Sequence, residues 1–247
     1  MPSRLDRGAQ FEYINKVASE YLVAKQPVIS LVLNGKEYGV DSKKRRMVYS
    51  EAGESVEALE CAFPTAELEQ AKFLGVVDIL KKAGFFGVGI CGVTAEFAVA
   101  SIRKWWYEQG CERYADTRGI YITVDSSGSD EVGIKLWRVR LQELSNELGL
   151  EVRVSHFPVG IYKWNKLESR LFSFIRKTWQ GKPFISLVAM VDLVGGSTFE
   201  GDLTVRCAVD QMVYRSVVGV SDEVLARVNL RKEVFLGDWN YSILPHL

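Results

Sequence analysis

Apolar residues recur at helical spacing from Arg7 to Ala24, where Phe11, Ile14, Val17, Ala18, Tyr21 and Leu22 share a face, and the pattern stops before Gln26-Pro27. This predicts a packing helix. A continuous apolar run, VISLVL, follows from Val28 to Leu33; then come Asn34-Gly35 and a returning segment, KEYGVD, from Lys36. Asn-Gly between two such runs predicts a hairpin with a two-residue turn. Ser50 to Pro64 has no period and reads as a surface loop. Phe73 to Leu80 and Phe85 to Ile90, parted by Lys81-Lys82-Ala83-Gly84, suit a second hairpin, although the first run also fits a helical period. Thr94 to Gly110 reads as a helix with Thr94 as N-cap, Glu96 in the first turn, Phe97, Ile102 and Trp105 inward, and Gly110 as the stop. Gly119 to Asp125 is a buried-type strand, Ile134 to Leu148 an amphipathic helix closed by Gly149, and Leu150 to Phe157 another strand. Beyond these, Ser186 to Gly195 reads as helix, Leu203 to Val209 as strand, and Ser221-Asp222-Glu223 as the start of a short capped helix. Hairpins followed by alternating helices and strands imply an α/β layer domain with a mixed sheet and helices on its faces.

Composition narrows the function classes. The 31 basic and 31 acidic side chains balance, so no global positive field draws the chain to nucleic acid, and any polyanion contact is local. SKKRR at Ser42 to Arg46 is either such a contact or a solvated strand end. Cys61, Cys91, Cys111 and Cys207 are scattered without CxxC spacing, with only two histidines to assist them, which argues against zinc and for free thiols in a reducing cytoplasm. No apolar run reaches the roughly 18 residues of a membrane span.

Candidate chemistry concentrates in two stretches. ITVDSSGSD, Ile122 to Asp130, puts Asp125 where a strand meets a Ser/Gly turn; HFPVGIYKWNKLESRLFSF, His156 to Phe174, runs from a strand through Lys163-Trp164 into a helix with Glu168 in its first turn. A carboxylate at a strand end and another on a helix's first turn can share a divalent metal. Each residue also has a purely structural reading. Asn165 and Glu168 have the spacing of a capping box, and Asp125 can simply begin a turn. Lys163, Trp164 and Asn165 can hold a DNA backbone phosphate and stack a base, or pack the loop. His156 reads as a satisfied strand-end histidine, and of Trp105-Trp106 one indole reads as core and the other as partly exposed.

QFEYIN, QPVIS, TAEFAVASIRKWW, ITVDSSGSD, HFPVGIYKWNKLESRLFSF, VSDE and GDWNY, in this order from Gln10 to Pro245, resemble the catalytic region of the Rhodopirellula-type insertion-sequence transposases, the ISAzo group of DDE enzymes. The resemblance implies a ribonuclease-H-like domain over residues 27–180, preceded by a packing helix (1–26) and followed by a C-terminal extension packed on the same domain (181–247). It also implies three carboxylates holding two Mg²⁺ ions for phosphodiester cleavage and strand transfer on DNA. Asp125 takes the place of the second acid and Glu168 of the third.

The first acid is where the chain departs from the family. Ungapped continuation from QPVIS places it on Val32. In the predicted hairpin Val28 faces Asp41, which puts Asp41 about 13 Å along the strand at ~3.3 Å per residue, too far for a ligand that must reach ~2.1 Å. Glu37 would face Val32 with Cβ atoms about 5 Å apart, making it the candidate surrogate. Cys91-Gly92-Val93, Ser126-Ser127 and Cys61-Ala62-Phe63-Pro64 also stand where the family carries other polar strings. Two functions are therefore expected in competition. One is a catalytically inactive, transposase-derived domain kept for binding or scaffolding with protein partners in a larger assembly; the other is an active Mg²⁺-dependent transposase, nucleoid-associated through its DNA.

Overall fold

The computed structural model describes residues 6–33, 72–89, 94–125, 131–157, 188, 191–192, 204–214 and 219–246. Eight strands form one sheet: β1 (Val28–Leu33), β2 (Lys72–Asp78), β3 (Ala83–Gly89), β4 (Gly119–Asp125), β5 (Glu151–Phe157), β6 (Thr204–Asp210), β7 (Leu230–Lys232) and β8 (Asn240–Ile243). Their spatial order is β6-β3-β2-β1-β4-β5-β8-β7. β4 runs parallel to β1, β5 to β4, and β6 to β3, whereas β2 is antiparallel to both its neighbours and β8 to both of its own. The β3-β2-β1-β4-β5 centre, with a helix crossing over between β3 and β4 and another between β4 and β5, is a ribonuclease-H-like mixed sheet.

The second expected hairpin is present, with β2 and β3 joined through residues 79–82 and paired from Lys72↔Gly89 to Asp78↔Ala83. Of the first, only the leading strand, β1, is described. Both flanks of β1 are taken: Val32 pairs with Gly75 and Leu33 with Leu74 on one side, and Val28 to Leu31 pair with Tyr121 to Val124 on the other. Glu37, Asp41 and the 50–64 segment lie outside the described residues.

Helix α1 (Arg7–Val23) is capped by the Asp6 carboxylate, which accepts from the N–H groups of Gly8 and Ala9. It closes with Lys25 in the left-handed region, φ 55°, where Lys25 N–H and Gln26 N–H return to the carbonyls of Leu22 and Tyr21. Helix α2 (Ala95–Trp105) has the expected Thr94 cap, whose hydroxyl accepts from Phe97 N–H at 3.2 Å. Helix α3 (Glu131–Leu148) ends at Gly149, φ 66°. α2 and α3 cover one face of the sheet and enclose the main core, which includes Ile29, Leu31, Phe97, Ile102, Trp105, Ile122, Leu141 and Val154. Arg140 ties them together by pairing with Glu96 of α2 and Glu143 of its own helix. The opposite face carries α1 and a small cluster of Val17, Val28 and Tyr121.

Gly110 does not stop α2. The chain widens into a π-helical turn, Trp106–Gly110, and continues helical to Arg113, with Gly110 itself at φ −73°. This turn also corrects the expectation for the tryptophan pair. Trp105 is 0% and Trp106 8% exposed, because the widened turn brings the second indole round to the core side. A Cβ on Gly110 would lie 2.7 Å from Trp106 and 3.3 Å from Trp105. Gly110→Ala is accordingly expected to cost about 1–3 kcal/mol by overpacking, measured as a shift in the urea midpoint with an unchanged slope.

The C-terminal part of the chain extends both sides of this sheet. β6, expected from the sequence, lines β3; β7 and β8, which were not, lie beyond β5. β8 reads Asn-Tyr-Ser-Ile, too short and too polar to announce itself, yet all four residues are buried. Residues 188, 191 and 192 are helical, within the stretch expected to be so. Ser221 caps helix α4 (Asp222–Leu225), its hydroxyl accepting from Val224 N–H.

Candidate active site

Asp125 ends β4 beside the carboxyl ends of β1 and β5, and the sheet register decides which positions are its neighbours. Ser30 pairs with Thr123 and Leu31 with Val124, so the next step along these parallel strands sets position 32 level with Asp125. Asp125 pairs in turn with Phe157 at the end of β5. Strand alternation gives positions 32, 125 and 157 the parity of Val28 and Tyr121, on the α1 face. The row therefore reads Val32, Asp125, Phe157, with strands about 4.8 Å apart. Asp125 stands at the strand end, as expected; Lys163, Trp164, Asn165 and Glu168 lie outside the described residues.

One buried acid escaped the sequence reading. Asp78 ends β2 at 0% exposure and accepts from Tyr114 O–H at 2.7 Å and Lys81 N–H at 3.0 Å. Burial raises its pKa, with those hydrogen bonds and nearby Arg113 only partly opposing the rise. Asp78 pairs with Ile29, three residues from position 32 and roughly 10 Å along the strand. It also has the main-core parity of Ile29, not that of Asp125. Asp78 thus ties the β2–β3 turn to the end of the α2 region and stands apart from the acid row.

Beneath the acid row the same face is unusually polar: Ser30, Thr123, Ser155 and Asn240 form one lateral line across β1, β4, β5 and β8. Asn240 and Gln10 of α1 exchange two amide hydrogen bonds, at 2.8 and 3.0 Å, and Gln10 also donates to the carbonyl of His156. QFEYIN and GDWNY, at opposite ends of the sequence, are therefore two halves of one buried contact.

His156 belongs to the other face. Trp137 N–H donates to the Tyr241 hydroxyl at 3.0 Å, and that hydroxyl lies 3.0 Å from His156 Nε2. The Tyr241 oxygen accepts from Trp137 and shares a second hydrogen bond with His156 Nε2, whose direction follows the imidazole tautomer. Burial, helped by the Arg138 guanidinium, lowers the His156 pKa to about 4. His156 is a satisfied strand-end histidine, in line with the structural reading of the sequence. Cys207 is held well above its ordinary value by burial, to about 12, and is no nucleophile.

Of the positions a two-metal site would use here, the structure describes only 32 and 125. Two divalent ions need several carboxylate oxygens at close range, but position 32, beside Asp125, carries a hydrocarbon side chain. Among the described residues no three His, Cys, Asp or Glu side chains come together as a metal would require. The described part of the row supplies one carboxylate where the two-ion arrangement needs at least two.

A ribonuclease-H-like sheet with an aspartate at the end of its fourth strand defines the class: the fold of DDE nucleic-acid-processing enzymes. The Rhodopirellula transposase DDE domain family matches residues 2–245, and the chain belongs to that family. No curated protein and no solved structure matches it. Among the described residues no helix is long and apolar enough to cross a membrane.

Proposed function

We propose that this DDE domain is catalytically inactive and is retained as a binding or scaffolding subunit. The observation that carries the proposal is the β1–β4 register, which sets valine rather than a carboxylate level with Asp125. Valine offers no lone pair, and removing one of three carboxylates takes a full negative charge from a site meant to balance two divalent cations. The family's DNA-processing ancestry makes DNA the first partner to consider, held through Lys163, Trp164 and Asn165, which precede Glu168 in the sequence. Protein partners in a larger assembly are the other. The competing reading is an active enzyme using Asp125, Glu168 and Glu37 with Mg²⁺.

Titration calorimetry with Mn²⁺ and Mg²⁺ on the natural chain and on Val32→Asp separates the two. The inactive reading expects no binding by the natural chain and a gain of binding in the variant, which at a 100-fold excess of metal over Kd would add about 2.7 kcal/mol of stability. Metal binding by the natural chain that disappears in Glu37→Ala, together with metal-dependent nicking of DNA, would establish the active enzyme instead.

A further inference from the structure

Four arginines of the sheet and its helices have carboxylate partners: Arg103 meets Glu147, Arg140 meets Glu96 and Glu143, Arg153 meets Glu233, and Arg231 meets Glu151. Arg138 of α3 forms no such pair among the described residues, although it is half-buried and its Nε is enclosed without a hydrogen-bond partner. Its guanidinium lies instead over the ring of Tyr241, with Cζ 5.0 Å from the centroid. Asp238 is near enough for the two charges to interact, but its carboxylate is largely exposed and bonds Lys232 at 2.6 Å.

The shelf under Arg138 is firmly held. Tyr241 is fully buried, and its hydroxyl lies 3.0 Å from both Trp137 Nε1 and His156 Nε2. His156 N–H bonds the Trp239 carbonyl, and the Trp239 ring meets the imidazole edge-on. His156 stands one residue before Phe157, the lateral neighbour of Asp125. An unpaired positive charge is thus kept at the end of the sheet that carries Asp125. Packing alone does not call for it, since an apolar side chain covers a tyrosine ring without the cost of an enclosed, unbonded N–H. A guanidinium on an aromatic face is weakly hydrated, and its planar fork matches two phosphate oxygens. Because the side chain is already immobilised on Tyr241, little conformational freedom is lost when an anion docks.

We propose that Arg138 is a phosphate contact, its guanidinium receiving a backbone phosphate of DNA laid across the carboxyl end of β5. The contact presupposes the DNA partner proposed above and needs neither metal nor catalysis. Lys163 and Trp164 follow β5 in the sequence, and Arg138 adds to them a point fixed by the fold.

Binding of the full chain to a short fluorescent DNA duplex, followed by anisotropy as salt is raised, tests this. Loss of one phosphate contact lowers the slope of log K against log salt by about 0.9. Arg138→Gln is expected to show that loss, with binding roughly tenfold weaker at about 0.1 M salt whatever the duplex sequence. Arg138→Lys, which keeps the charge, is expected to restore the slope. Arg231→Gln breaks a pair at the opposite end of β5 and is expected to leave the slope unchanged. Arg138→Met keeps the stem over Tyr241 and is expected to match Arg138→Gln, so a disturbed fold in the glutamine variant does not decide the outcome. Duplex binding with the natural slope in the methionine variant would overturn the role of Arg138 while leaving DNA as the partner. A natural chain that binds no duplex would overturn that role and the DNA reading together.

Discussion

Asn240→Ala is expected to lower the melting temperature by roughly 6–12 °C, the equivalent of about 3 kcal/mol in a chain of this size. Asn240 is 0% exposed and uses both ends of its amide. Its oxygen accepts from Gln10, and its nitrogen donates to the Gln10 oxygen at 2.8 Å and the Phe235 carbonyl at 3.0 Å. Alanine removes all of these and leaves the buried Gln10 oxygen and the part-buried Phe235 carbonyl without their Asn240 partner, while Gln10 keeps its bond to the His156 carbonyl; each unsatisfied buried group costs about 1–3 kcal/mol. The two halves of the loss behave differently. The Gln10 half falls on the contact between α1 and the sheet, whereas the Phe235 half falls on the turn that leads into β8. Differential scanning calorimetry gives the total, and Gln10→Ala gives the α1 half alone. A melting temperature within 2 °C of the natural chain would show that the amide pair contributes little.

The second large effect is on pH dependence. Above pH 6.5 His156 is neutral in both folded and unfolded chains, and pH does not act through it. As pH falls from 6.5 toward 4 the unfolded chain takes up a proton that the folded chain, with His156 near 4, refuses. Stability is therefore lost on acidification across that window and levels off below it, by up to about 3 kcal/mol at 1.36 kcal/mol per pH unit. The imidazole is partly exposed at its strand end, so the full amount is an upper bound. His156→Gln keeps an acceptor for the Tyr241 hydroxyl but does not titrate. The difference between natural chain and variant, followed by urea unfolding from pH 7.5 to 4, isolates the term from the carboxylates that titrate in the same range. Parallel curves for the two proteins would refute it.

What was legible in the sequence follows from how local each signal is. Thr94 as a cap, Gly149 as a stop, and the strands from Gly119 to Asp125 and Glu151 to Phe157 needed only neighbours within a few residues, and they appear as expected. No local signal announced that β1 pairs with β2, 38 residues beyond it, and with β4. Trp106 was misjudged for the same kind of reason: helical phase is local, but the π turn that rotates the indole inward is secured by packing around Gly110. β7 and β8 left no trace in the pattern. The polar residues of β8 are buried, Asn240 against Gln10, 230 positions away in sequence.

The sequence by itself determined the class of fold and the family, since apolar periodicity and long motif strings are properties of the chain as written. Only the tertiary structure decided that position 32 is level with Asp125, that Asp78 is buried on the other face, and that the first and last motifs meet under α1. Register and long-range pairing are set by which buried surfaces fit one another, and no short window of residues contains both partners.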